Sequence, residues 1–129
     1  MTSEKRILAE GLCLVSAEPD VLAWRNNTGQ AWQGTRLHVG IGMPVRITQG
    51  MVVLQDARPI SFGLPGSGDI LGVAEGFGFA LEAKTDTGRQ SDQQKKFQAA
   101  FDRAGGRYGL FRTPDEAVAM IRGWRGGVG

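Results

Sequence analysis

Two short apolar segments joined by a tight turn constrain the fold of this chain more than any other feature. The first runs from Asp69 to Val73, the second from Phe77 to Thr85, and Glu75-Gly76 separates them. Such segments, bounded by glycines, are typical of neighbouring antiparallel strands. The second segment is largely apolar, as expected of a buried strand. We therefore expect a hairpin within the central sheet.

Three charged residues interrupt these apolar strands. Alternate residues of a strand point to the same face, so Glu82 and Lys84 project together while Leu81 and Ala83 face the other way. A turn at Gly76 brings Asp69, at the start of the first strand, to the same end of the sheet as Glu82. The sequence thus predicts two carboxylates and an ammonium group close together.

Helices are expected to flank this sheet. Their capping residues and apolar faces place them over about 3–17, over about 91–104 and from Thr113 onward, where Glu116 completes a predicted capping box. Residues 108–111 read as a further strand. The stretch 36–62 suggests short antiparallel strands with a turn near Gln49-Gly50, and 18–34 is interpreted as loop. This order is typical of an α/β layer fold with a central sheet.

Length and composition are those of a single globular domain over residues 1–129. Hydrophobic residues make up 41% and charged residues 22% of the chain. No apolar run is long enough for a membrane span, no secretory signal is recognised, and the single cysteine suits a reducing compartment. We therefore expect a cytoplasmic protein without a membrane partner. The net charge of +2 permits binding to a polyanion.

The paired carboxylates need a chemical explanation, because two such groups repel each other unless a cation lies between them. Mg²⁺ prefers oxygen ligands, and a nearby ammonium group can offset charge that develops on a phosphate. Together these groups suit phosphodiester hydrolysis. The plainer alternatives are a Glu82–Lys84 salt pair on an exposed strand and a turn role for Asp69.

The chain also resembles a known family. Asp69 followed by Glu82-Ala83-Lys84 resembles the PD-(D/E)XK nuclease motif. The surrounding segments, in order along nearly the whole chain, resemble its VRR-NUC branch, which is common in phage genomes. These segments are WRNNTG (24–29), FGLPGSGDI (62–70), EAKT (82–85), TGRQS (87–91), QKKF (94–97) and AGG (104–106). One departure is Gly68, where many relatives have proline before the aspartate.

The resemblance implies a restriction-endonuclease-like α/β core, a central mixed β-sheet flanked by helices, and a site that holds Mg²⁺ or Mn²⁺. By this resemblance the metal ligands are Asp69, Glu82, Glu4 and the carbonyl of Ala83, the catalytic lysine is Lys84, and Gln94 is the helical glutamine of the site. Alternatives remain for two of them. Glu4 can simply be a favourable charge at a helix N-terminus, and Gln94 can simply close a capping box. A helical wheel does not separate Gln94 from Gln93.

Function and partners follow from the same resemblance. It implies a metal-dependent DNA endonuclease, with phage members associated with branched DNA such as four-way (Holliday) junctions and with homodimers. Arg25, Asn26 and Asn27 could contact DNA or shape a turn, and Lys95 could contact DNA or lie on a solvated helix face. The alternative is a non-catalytic DNA-binding module of a phage replication, repair or packaging complex. A site-specific restriction enzyme is less favoured, because 129 residues leave little room for a recognition region.

Overall fold

The computed structural model of the protein describes residues 3–37, 42, 44, 46 and 48–126. Its contacts divide the chain into two compact units, Met1–Thr28 with Gly63–Gly129, and Gly29–Phe62. The elements in chain order are α1 (Glu4–Ser16), β1 (Val21–Arg25), β2 (Gly29–Arg36), β3 (Leu54–Phe62), β4 (Ile70–Ala74), β5 (Phe77–Ala83), α2 (Asp92–Arg103), β6 (Arg107–Phe111) and α3 (Pro114–Gly126). That the chain forms one domain stays a prediction.

The first unit is a mixed four-stranded sheet flanked by helices, which confirms the predicted α/β class. The strand order is β1-β4-β5-β6, with antiparallel pairing except between β5 and β6, which run parallel. The predicted hairpin is present, with Ile70 opposite Leu81 and the turn at Glu75-Gly76. Within the described ranges, none of the helices has the length and hydrophobicity that a bilayer crossing requires.

The core lies between one face of this sheet and the helices α1 and α3. Its largest fully buried side chains are Phe79, Phe111, Ile70, Leu81, Ile121 and Val15. Close packing demands small residues at two positions. A Cβ on Gly11 of α1 would lie 2.6 Å from the Phe111 ring, and one on Gly72 of β4 would lie 2.3 Å from the Phe79 ring.

Helix α2 belongs to the opposite face of the sheet. Tyr108 of β6 packs on Phe97 of α2, with ring centroids 6.0 Å apart, whereas the neighbouring Gly109 faces α3. Since successive strand residues alternate between faces, Glu82 lies on the α2 side and Leu81 and Ala83 on the core side. This alternation is the one that the sequence predicted.

The second unit is a two-stranded antiparallel hairpin. Gln30 is opposite Ser61, Trp32 is opposite Pro59, and the register shifts between Gln33 and Thr35. Nearly all its side chains are exposed or half-buried. The antiparallel strands predicted within 36–62 are only partly confirmed, because β3 lies in that stretch whereas its partner β2 ends at Arg36. A turn is present at Gln49-Gly50, and His38, interpreted as structural, lies outside the described residues.

Two sequence interpretations were wrong. Residues 18–34 are not all loop, because Val21–Arg25 form β1 and β2 begins at Gly29. Strand β1 is only five residues long and half-buried, so its alternation is hard to distinguish from the polar residues around it. The Glu116 carboxylate accepts from the backbone N–H of Arg112 rather than from that of the cap residue, so the last helix lacks the expected box.

Candidate metal centre

Asp69 stands where β4 begins, and the sheet holds its backbone and its side chain. Its N–H donates to the carbonyl of Leu81 at 2.9 Å, next to the Ile70–Leu81 pair at the end of the β4–β5 ladder. Its Oδ2 accepts from the N–H of Ala83, also at 2.9 Å. The carboxylate therefore takes the place of a backbone acceptor at the end of the ladder, and its direction is set by β5.

The glycine before Asp69 is a structural requirement. Gly68 has φ +95°, a left-handed conformation that proline, locked near −65°, cannot adopt. Glycine at this position is therefore required by the turn. Asn26 braces that turn by donating its side-chain amide to Ser67 Oγ (2.6 Å) and to the Gly68 carbonyl (3.0 Å).

Glu82 lies in the middle of the site and is 4% exposed. Its Oε1 accepts from the Gln94 side-chain amide at 2.7 Å and lies 3.9 Å from the ammonium group of Lys84. Lys84 itself is largely buried, with 12% of its side chain exposed. The pair is therefore not the exposed salt bridge that was the plainer alternative for these two residues.

Gln94 combines two functions. Its side-chain oxygen accepts from the Ser91 N–H at 2.8 Å, which completes the predicted capping box of α2, while its amide nitrogen donates to Glu82. Gln93 is exposed on the same turn. The structure thus separates the two glutamines, and Gln94 is the one that contacts the acidic cluster. A catalytic role for it stays a prediction.

The glycine-rich turn lies directly against the start of α2. A Cβ on Gly66, which has φ +80°, would lie 2.5 Å from the Gln93 carbonyl oxygen and 2.9 Å from the Gln94 nitrogen. Only glycine allows the two backbones to approach this closely. The turn that carries Asp69 and the helix that carries Gln94 are therefore packed against each other, which fixes the distance between their side chains.

The electrostatics of the cluster favour a bound cation. Burial raises the pKa of Glu82, the negative charge and hydrogen bonding of Asp69 act in the same direction, and Lys84 only partly opposes them, so that together they bring the pKa from 4.5 to about 8. Without a cation, the raised pKa favours the protonated form of Glu82 at neutral pH. A divalent ion would remove the repulsion that retains this proton.

Glu4 completes the cluster from the start of α1. One carboxylate oxygen each of Glu4, Asp69 and Glu82 lies within 4.8 Å of the others, although these residues are far apart in sequence. Ser3 caps the helix through the N–H of Arg6, so the favourable charge at the helix N-terminus is present as well. Three oxygen donors of this kind fit a hard divalent cation such as Mg²⁺ or Mn²⁺. A ligand role for the Ala83 carbonyl stays a prediction.

No family model matches this chain, and neither the curated proteins nor the solved structures yield a significant match. The resemblance to VRR-NUC nucleases therefore remains a prediction from the sequence.

Arg112 supports the site, although the sequence offered no sign of it. One nitrogen of its guanidinium donates to the carbonyl of Thr85 and to that of Gly88, at 2.8 Å to the latter. These contacts hold the loop that follows Lys84, and the Lys84 N–H donates to the Phe111 carbonyl at 2.9 Å. The loop and the lysine are thus anchored to the end of β6, across more than 20 residues of sequence.

Tyr108 is a second residue whose position was not expected. It is 8% exposed, and its hydroxyl has no hydrogen-bond partner among the described residues. Burial raises the pKa of Tyr108 to about 12, and the charges of Glu82 and Asp69 act in the same direction. The phenol therefore stays protonated and adds a neutral hydrogen-bond donor near the carboxylates. The sequence showed only an aromatic residue in a short strand.

The predicted DNA contacts differ in their surroundings. Arg25, Asn27 and Lys95 are exposed, and a role in DNA binding stays a prediction for each. Asn26 is half-buried, and both hydrogens of its amide are used by the turn before Asp69. Of the alternatives weighed for Asn26, the geometry therefore favours the shaping of a turn.

Proposed function

We propose that this protein is a Mg²⁺- or Mn²⁺-dependent deoxyribonuclease of the PD-(D/E)XK class, with the restriction-endonuclease-like core and VRR-NUC relationship that its motifs suggest. One observation carries the proposal: the carboxylates of Asp69 and Glu82 at one end of the β4–β5 pair and of Glu4 on α1 meet within 4.8 Å, and the largely buried Lys84 lies beside Glu82. A cluster that served only stability would be costly here, because Glu82 is buried and its charged form is destabilised by the neighbouring carboxylates when no cation is bound.

Each side chain has a role in this proposal. Asp69, Glu82 and Glu4 would hold the metal, and the Ala83 N–H keeps the Asp69 carboxylate in place. Gln94 would orient Glu82 through its 2.7 Å hydrogen bond. Lys84 would offset negative charge on the phosphate as the bond to the leaving oxygen breaks. The metal would supply Lewis acidity toward the phosphodiester.

The finer aspects of the proposal rest on the resemblance. We propose branched DNA such as four-way junctions as the substrate, and a homodimer as the active species. A dimer has its own physical reason, since cutting both strands of a symmetric junction needs two sites related by a two-fold axis. Light scattering at micromolar protein tests the dimer, and a monomer alone would contradict it.

The decisive experiment is cleavage of labelled DNA with Mg²⁺, Mn²⁺ or EDTA. A four-way junction, a linear duplex and a single strand are compared with wild-type protein, with Lys84→Ala and with Lys96→Ala. Lys96 lies on an exposed face of α2 and controls for the loss of one positive charge. We expect metal-dependent cutting that falls by about 100- to 1000-fold in Lys84→Ala and little in the control.

The non-catalytic alternative makes a different prediction for the same samples. A DNA-binding module would bind the junction equally well with metal and with EDTA and would cut none of the substrates. Folded wild-type protein that binds Mn²⁺ but cuts nothing would therefore overturn the nuclease and favour that alternative.

A further inference from the structure

The β2–β3 hairpin, residues Gly29–Phe62, carries the charge imbalance of the whole chain. It contains three arginines, Arg36, Arg46 and Arg58, and one acidic residue, Asp56. The remaining residues contain twelve basic and twelve acidic side chains, so the formal net charge of +2 comes entirely from the hairpin. All four of its charged side chains are exposed. A surface of this kind attracts polyanions.

One face of the hairpin combines this charge with an exposed indole. Trp32 is 67% exposed, which is unusual for a side chain of this size. Strand β2 continues without interruption through the register shift, so Trp32, Gly34 and Arg36 point to the same side. Arg36 is four positions after Trp32, so their backbones lie about 13 Å apart along the strand.

Gly34 lies between these two residues on β2 and packs closely against β3. A Cβ at this position would lie 2.9 Å from the Gln55 carbonyl oxygen and 3.1 Å from the Ala57 Cα, because β3 bulges toward it here. The glycine is therefore required by the bulge, and β2 carries no side chain at the position between Trp32 and Arg36. Flat aromatic surfaces next to positive charge are the means by which proteins bind unpaired bases and their phosphates.

We propose that the β2–β3 hairpin binds a single-stranded stretch of DNA, with the Trp32 indole stacked on an unpaired base and Arg36 on the adjoining phosphates. The base must be unpaired because a duplex buries the π-faces on which the indole would stack. The inference rests on the proposed function and narrows its substrate to DNA with exposed bases, such as a branch point or a flap.

The same face is less suited to contact with a second copy of the chain. A two-fold contact would bring two copies of this positively charged unit together, and their like net charges would repel. Self-association through Trp32 is therefore the outcome that the experiment must separate from DNA binding.

Fluorescence anisotropy of a labelled oligothymidine, measured in EDTA to prevent cutting, tests the proposal. We expect Trp32→Ala to weaken binding by about ten- to a hundredfold and Trp32→Phe to retain most of it, because the phenyl ring still stacks. Leu22→Ala is the matched control, since Leu22 is also 67% exposed but lies on β1. Arg36→Gln should lower the slope of affinity against salt by about 0.7.

Two results would overturn the inference. One is a Trp32→Ala affinity equal to that of wild type, and the other is a change of oligomeric state in that variant without a loss of DNA affinity. Cleavage assays keep the two proposals apart. If the wild-type protein cuts with metal but binds DNA independently of Trp32, the proposed nuclease function stands and the inference about the hairpin is wrong. If DNA binding depends on Trp32 but no substrate is cut, the inference about the hairpin stands and the proposed nuclease function is wrong.

Discussion

Protonation of Glu82 links the candidate metal centre to the stability of the fold. Burial and the neighbouring Asp69 raise the pKa of Glu82 from 4.5 to about 8, so the folded state keeps a proton that the unfolded chain has already lost. The stabilisation from this group is therefore fully present below about pH 4.5 and is lost as the pH rises through about 8. Glu82→Gln removes the titration while keeping an oxygen that can accept from Gln94.

The magnitude follows from the linkage between proton binding and folding. Stability falls by about 1.4 kcal/mol for each pH unit over which only the folded state holds the proton. Between about pH 5.5 and about pH 7.5 the upper limit is thus about 2.7 kcal/mol. Solvent screening and local relaxation reduce this limit, so we expect about 1 to 2 kcal/mol. For a domain of this size that is a change of several degrees in Tm.

Thermal unfolding followed by circular dichroism, in EDTA and at both pH values, measures this effect. The quantity of interest is the difference in Tm between wild type and Glu82→Gln, which removes the contribution of other titrating groups. We expect the Tm of Glu82→Gln to increase relative to the Tm of the wild type as the pH rises. Glu10→Gln, at an exposed position on α1, controls for the loss of one acidic side chain. An identical difference at both pH values would show that burial does not hold the proton on Glu82, and would refute the reasoning.

Two further substitutions test how the site is positioned, each against a matched control. Gly68→Ala and Gly76→Ala both place a side chain at positive φ and should each cost about 1 to 3 kcal/mol in denaturant unfolding, but only the first should also weaken Mn²⁺ binding in a calorimetric titration. Equal Mn²⁺ affinities would contradict this. Gln94→Ala should cost about 1 to 2 kcal/mol more than Gln93→Ala, because only Gln94 closes the capping box and donates to Glu82. Equal unfolding midpoints for Gln94→Ala and Gln93→Ala would show that the contacts of Gln94 with Ser91 and Glu82 do not stabilise the fold.

Local chemistry made the helix starts and the central hairpin predictable. Ser3 and Ser91 cap their helices through N–H groups three residues ahead, and Gln94 closes its box within the same turn, so each signal lies within a few residues. The alternation in β5 likewise separates Glu82 from its neighbours Leu81 and Ala83 without reference to any distant residue. For the same reason Asp69, Glu82 and Lys84 could be predicted as site residues from the sequence.

Tertiary structure alone decided which distant groups meet at the site. Asn26 bonds to Ser67 and Gly68 across 41 and 42 residues, and Arg112 reaches back to Gly88 across 24. Strand β1 was missed because its partner, β4, lies more than 40 residues further along the chain and its own pattern is short. Local patterns carry no information on such pairs, since these contacts exist only once the sheet has assembled. The acidic groups could therefore be predicted from the sequence, whereas the contacts that position them are determined only by the folded structure.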